Sequence, residues 1–332
     1  MERRAMFSIL KAAAVIALLL GTSSGVHAGA LEFELIEAHT APAEHPYTVA
    51  MEHLNQLLGE RTKGRVAIKI HHTRQLGDER QVVEGLQLGT VHLTVTSTGP
   101  LGGFVPEMNV VDLPFLFRDA EHAYKVLDGE IGQSLLKKFE SVGIMGLAFW
   151  ENGFRHITTS KKPINQPTDM KGLKIRVMEN KIHQAAFRQI GADAIPMAWG
   201  EVFTSLQQGL LDAQENPTPI VYAFKLYEVQ KYLSLTGHFY SPAPVLLSKR
   251  TWDRLPADLQ KIVYDTTLEV ARFQRGLIHK EEQKQIAELR VKGMVVIENT
   301  DKAAFREAMK PVFEQYQAQF GKDLVQRIVN TR

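Results

Sequence analysis

The chain has 332 residues, 44% of them hydrophobic and 23% charged, with 39 basic residues against 37 acidic and no cysteine. This is globular composition, long enough for two domains. So small a net charge supplies no basic field for nucleic acid or anionic lipid, and a chain without disulfides must be held together by its core.

The first 28 residues stand apart. Arg3, Arg4 and Lys11 make a basic start, Ala12 to Leu20 is an apolar run, and Val26-His27-Ala28 puts small residues at the −3 and −1 positions. The pattern is that of a secretory signal peptide cleaved after Ala28, with Ala30 as the second choice. The apolar run is shorter than the roughly 20 residues of a spanning helix; a retained N-terminal anchor is the alternative. Cleavage removes three basic residues and one acid, so the remaining chain is electrically balanced. No later segment is apolar enough to span a membrane, and a soluble, exported, periplasmic protein is expected.

Leu31 to Ala38 alternates and reads as a strand, followed by a loop from His39 to Pro46. Tyr47 to Arg61 has helical spacing, and Val66, Ile68 and Ile70 give a second strand. Glu79 to Leu88 is a helix that Gly89 ends as a left-handed cap, and Val91, Leu93 and Val95 form a third strand. Strand, helix, strand, helix, strand predicts parallel neighbours. Leu86-Gln87-Leu88-Gly89 and Leu206-Gln207-Gln208-Gly209 precede strands that both end in polar residues, a weak sign of an internal repeat. Ligands in open α/β sheets sit at such strand ends. Gly143 to Trp150 is an apolar strand, and the polar turn Glu151-Asn152-Gly153 marks a crossing between domains; the proline-punctuated stretch Tyr240 to Ser248 marks the return. From Pro256 to about Gly293 apolar residues keep helical spacing, and at about 1.5 Å per residue such a helix spans on the order of 50 Å, enough to cross two lobes. A strand from Met294 to Ile297 and a helical region from Lys302 to Val329 finish the chain.

No nucleophile and base set, metal-ligand pair or phosphate-cradling loop stands out. Gly99-Pro100-Leu101-Gly102-Gly103 reads as a flexible loop. His71 and His72 are adjacent, so on a strand they face opposite ways and cannot share a metal. His39 and His45 flank a loop that could face a cleft. Arg176 lies on a short alternating strand, Arg155 follows the first crossing, and Asn216 sits at a strand end before Pro217. A guanidinium binds a carboxylate bidentately in a way that lysine cannot, so two arginines and an amide brought into one cleft would hold an organic acid. Taken singly, Arg176 reads first as a solvated strand residue and Arg155 as a surface turn residue, while Asn216 reads equally as plain loop chemistry. Phe149, Trp150, Phe154 and Trp199 read as core, with an apolar cleft wall as the alternative.

Six segments in order resemble the substrate-binding proteins of TRAP transporters, the DctP-like family: Gln75 to Glu79, Asp112 to Phe117, Asn152 to Arg155, Asp169 to Val177, Gln214 to Pro217 and Tyr227 to Tyr232. The resemblance implies an α/β, two-lobed periplasmic binding protein of type II-like form with a long helix spanning both lobes. The expected division is a signal peptide over 1–28, lobe 1 over 29–150 plus about 241–265, and lobe 2 over 151–240, with the spanning helix at about 256–290 and a C-terminal strand and helical region over 291–332. The resemblance further implies that Arg176 pairs with the ligand carboxylate, that Arg155 assists, and that Asn216 lines the cleft with Ser97 and Thr98. Glu79 and His39 complete the candidate ligand-binding set. No acid occurs from Val91 to Phe104, which argues against the sialic-acid-binding members. The implied function is capture of a small organic acid and its delivery to the small and large membrane subunits of an ion-driven transporter, by a monomer with no cofactor, metal or catalytic residue. A periplasmic sensor module or an enzyme acting on a small carboxylate are the alternatives.

Overall fold

The computed structural model describes residues 30–332, so the expected signal peptide and its cleavage after Ala28 lie outside the described residues. The first half runs β1 (Phe33–Ala38), α1 (Pro46–Arg61), β2 (Val66–His71), α2 (Glu79–Leu88) and β3 (Leu93–Val95). Helices α3 (Ala120–Asp128) and α4 (Glu130–Lys138) then lead into the long strand β4 (Ile144–Thr159). The second half repeats the alternation: β5 (Lys174–Val177), α5 (Lys181–Gln189), β6 (Asp193–Pro196), α6 (Trp199–Gln207) and β7 (Ala213–Pro217). After α7 (Thr218–Ala223), a second long strand, β8 (Tyr232–Ser248), returns to the first half. The chain ends with α8 (Lys249–Trp252), α9 (Ala257–Val291), β9 (Val295–Ile297), α10 (Lys302–Phe320) and α11 (Lys322–Asn330). Gly321 divides the expected last helical region in two, its φ of 91° lying outside helical space.

Among the described residues the strands form one sheet in the order β2-β1-β3-β8-β4-β7-β5-β6, with β9 beside β8. β1 is parallel to β2 and β3, and β5 is parallel to β6 and β7. The two halves are therefore the same three-strand unit laid outward from a central antiparallel pair. Gly89 and Gly209, both at positive φ, follow the helices before the equivalent strands β3 and β7. The faint repeat in the sequence is thus carried by the topology.

The two crossings are strands rather than turns. β4 and β8 pair from Ile144 with Ser248 to Thr159 with Tyr232, so Glu151-Asn152-Gly153 stays inside β4. The expected turn becomes a register shift between Glu151 and Gly153, because β8 offers a continuous ladder and Gly153 adopts a φ of 118° that absorbs the extra residue. Pro242 and Pro244 are tolerated in β8 because β3 pairs only from Val245 onward, and beyond it the Thr96 N–H donates to the Pro244 carbonyl at 3.3 Å, which asks for an acceptor and not for the N–H that proline lacks. Gly99 to Gly103 also departs from expectation: it is a short 3-10 helix whose Gly99, Pro100 and Leu101 are buried. A Cβ on Gly99 would lie 2.6 Å from the Met178 side chain, so glycine permits the close approach that orders the segment.

Helix α9 has 35 residues and touches both halves. Its first turns bury Leu259, Val263 and Val270 with Leu35, Leu54 and Trp150. Its last turns place Leu289 with Val202, Leu233 and Met294. In the middle, Gln274 pins the crossing: its Oε1 accepts from the Glu151 N–H and its Nε2 donates to the Glu151 carbonyl, both at 2.8 Å. Beside it the Arg275 guanidinium forks onto Asp128 at 2.7 Å, donates to the Phe149 carbonyl and lies 4.2 Å from the Tyr124 ring centre. Gln274→Ala would leave two buried backbone groups of Glu151 without partners. An expected loss of about 2 kcal/mol, read as a lower midpoint in chemical denaturation at unchanged slope, tests this pin.

Candidate ligand-binding site

The carboxyl ends of the parallel strands in both halves point at one cleft. Thr40 follows β1, Ser97 follows β3, Arg176 and Met178 end β5, and Asn216 lies in β7. The first residues of α2 and α6, Glu79 and Trp199, enter from opposite sides. Two adjoining cavities share Glu79, Arg176, Met178 and Trp199. The inner one is a narrow chamber closed by Tyr47, Asn152, Ile220 and Phe224; the outer one has a volume of about 250 Å³.

Arg176 is buried at 2% exposure, not the solvated strand residue that its composition alone would suggest. Its Nε donates to the Met197 carbonyl at 2.9 Å, and its guanidinium lies 5.4 Å from the Trp199 ring centre. Among the described residues no acceptor takes its two terminal nitrogens, and it forms no ion pair within 4 Å. Burial pushes its pKa down to about 10, with the Glu79 charge opposing the shift, so the group is still cationic at neutral pH. A buried cation without a counter-charge, two of its donors unmet, is costly unless an anion joins it.

Arg155 is different. It is fully buried, and its Nε and Nη2 fork onto the Glu215 carboxylate at 2.6 and 2.8 Å. Nη2 also donates to the Glu215 carbonyl and, at 3.1 Å, to the Asn216 side-chain oxygen; Nη1 has no hydrogen-bond partner. His238 Nε2 stands 3.1 Å from the same carboxylate. Burial opposes ionisation of Glu215, but the Arg155 charge and the bonds from His238 and Arg155 outweigh it and hold the carboxyl well below the usual range. Arg155 thus orients Asn216, whose Nδ2 donates to Gln214 at 2.6 Å while its amide lines the inner chamber.

The other candidates divide. Ser97 lines the chamber, its hydroxyl 2.9 Å from that of Ser241. Glu79 lines both cavities; burial raises its pKa above the usual carboxylate value, with the Arg176 and Arg155 charges opposing the shift, and the Thr96 hydroxyl lies 3.4 Å from its Oε1. Thr98 and His39 are not among the residues lining either cavity. The Thr98 hydroxyl donates to Asp112 at 2.7 Å, because the chain turns into the 3-10 helix there. His39 is buried with both ring nitrogens engaged, on Glu37 at 2.8 Å and Thr48 at 2.7 Å, so it stiffens the β1 end rather than facing the cleft. Sequence reasoning missed Thr40, Tyr47, Asn152, Met178, Ile220 and Phe224. Tyr47 and Asn152 each carry a buried side-chain oxygen with no partner, a signal that only packing provides. Trp199, read mainly as core, is a cleft wall, whereas Phe149 and Trp150 are core.

This arrangement, polar groups at strand ends of two like units joined by crossing strands, defines a two-lobed binding protein. The chain matches the DctP model, "Bacterial extracellular solute-binding protein, family 7", over residues 37–319, and it belongs to that family. A solute-binding protein of Verminephrobacter eiseniae is 46% identical over 293 residues, 88% of this chain and 87% of that protein. A TRAP periplasmic solute-binding protein from Polaromonas sp. JS666, solved bound to D-erythronate, is 44% identical with a TM-score of 0.89, covering 91% of this chain and 99% of that one. Another from Bordetella bronchispeptica, with density assigned to pantoate, is 42% identical with a TM-score of 0.88, covering 90% and 99%.

The Arg155–Glu215 pair makes its own test. Glu215→Ala leaves a buried guanidinium unpaired, and a loss of roughly 3–5 kcal/mol in folding stability is expected at pH 7. The stability that comes from a depressed carboxyl is complete above its unfolded pKa of about 4.3 and fades as pH falls toward its folded value. The difference between wild type and variant should therefore shrink below about pH 4 in denaturation series.

Proposed function

We propose that this chain captures a small organic acid in the interlobe cleft and delivers it to the membrane subunits of a TRAP transporter. The observation that supports this best is Arg176: a buried guanidinium, cationic, its terminal nitrogens without acceptors among the described residues, at the wall of a cavity built from strand ends. Its terminal nitrogens take the ligand carboxylate as a fork, with the Asn216 amide and the Ser97 hydroxyl as further contacts and Arg155 behind them as the support of Asn216. The ligands of the Polaromonas and Bordetella proteins support the same class. The protein acts as a monomer in the periplasm after cleavage near Ala28 and carries out no chemistry. Lobe 1 is 29–150 with about 241–265, lobe 2 is 151–240, and β4 and β8 are the hinge strands about which the lobes close.

Arg176→Ala should weaken binding by about 2 kcal/mol or more, roughly thirtyfold, in calorimetry with an organic-acid panel, and Arg176→Lys should restore it only in part because the fork is lost. Unchanged affinity in Arg176→Ala would remove the carboxylate assignment. Closure has a separate handle in Asn180, whose Nδ2 lies 3.0 Å from both Asp112 Oδ2 and Asn109 Oδ1 while its Oδ1 caps α5. Asn180→Asp keeps the cap but sets a carboxylate against Asp112. Ligand affinity should drop several-fold without loss of helix content by circular dichroism, and retained affinity would mean that this contact plays no part in closure.

A further inference from the structure

Resting on that reading, we propose that the ligand carries one carboxylate and at least one hydroxyl, and that Glu79 reads the hydroxyl and excludes dicarboxylates. Related binding proteins take both kinds of acid, D-erythronate in one and succinate in another, so the fold does not decide between them. The charges around the cleft do. Asp78, Glu79, Glu179 and Glu201 border the cavities, against two arginines, Arg80 and Arg176. Arg80 is turned away: its Nε donates to Glu84 at 3.1 Å and its guanidinium lies 5.7 Å from the Phe104 ring centre. Arg176 is thus the buried cation of the lining, whereas Arg80 is exposed and held toward Glu84 and Phe104. Arg155, behind the chamber, spends its charge on Glu215.

A carboxylate seated on Arg176 therefore leaves the other end of the molecule among acids. Glu79 lines both cavities and bounds the space beside Arg176, so it is the first group that end meets. A second carboxylate there would meet an excess of like charge, since Arg74 and Arg80 are already set against Asp78 at 3.9 Å and Glu84 at 3.1 Å. A hydroxyl would instead donate to Glu79. The remaining acceptors and donors of the inner chamber, the unpartnered Tyr47 hydroxyl and Asn152 Oδ1, suit further hydroxyls rather than a second anion.

Calorimetry on the mature protein with D-erythronate, pantoate and D-gluconate on one side and succinate on the other tests this. At least one hydroxy acid is expected to bind tenfold or more tightly than succinate. Glu79→Gln keeps the size and an acceptor but removes the charge. It should weaken the hydroxy acid and narrow its lead over succinate at least threefold, with the thermal midpoint of the free protein retained. Succinate binding as tightly as every hydroxy acid, or a lead unchanged in Glu79→Gln, overturns the inference while the carboxylate reading stands. Binding of none of these acids, against the outcome expected for Arg176, overturns both.

Discussion

Among the described residues three arginines are buried, Arg275, Arg155 and Arg176, in a molecule that has no disulfide to force them there, and the structure treats the last two oppositely. Arg155 is neutralised within the chain by Glu215, with His238 on the same carboxylate. Among the described residues Arg176 has only a carbonyl on Nε. A buried ion pair with its hydrogen bonds met is a fixed part of the scaffold, whereas a buried cation with open donors favours whatever anion can reach it. The site therefore rests on a built-in imbalance of charge, and the surrounding fold tolerates it because the imbalance sits at a cleft and not in a sealed core.

The sheet explains why these groups meet. Two three-strand parallel units, β2-β1-β3 and β6-β5-β7, flank the pair β8 and β4. Each unit sends its carboxyl strand ends and the starts of the following helices toward the same space. The connection consists of two long antiparallel strands, held at Glu151 by Gln274 of α9. A long paired ribbon can flex about its register shifts without breaking its ladder, which gives the lobes a path for relative motion. Helix α9 buries its two ends in different clusters and so ties both lobes to one rod.

Ligand choice lies in second-order features of this arrangement. On the proposed reading the grip on a carboxylate follows from Arg176, and the shape of what else fits follows from the other groups that line the chamber, Glu79, Tyr47, Asn152 and the aromatic wall of Trp199 and Phe224.

Much of this was legible in the sequence. The alternation of strand and helix, the glycine caps at Gly89 and Gly209, the long helix after Pro256 and the family segments each depend on local spacing, which chain chemistry sets directly. Arg176, Asn216 and Ser97 could be named because they sit at strand ends, where a local pattern already implies a position at the cleft rim. What the sequence could not decide was direction and pairing. His39 and Thr98 lie beside the site in the chain, yet Glu37, Thr48 and Asp112 turn them inward. The Glu151 turn became a bulge because β8, about ninety residues away, supplied its ladder. Arg155 became a support rather than a free donor because Glu215 lies 60 residues on in the chain and directly beside it in space. Local spacing fixes the elements, but the free energy of a buried polar group depends on its partner, and partners are chosen only when distant segments pack.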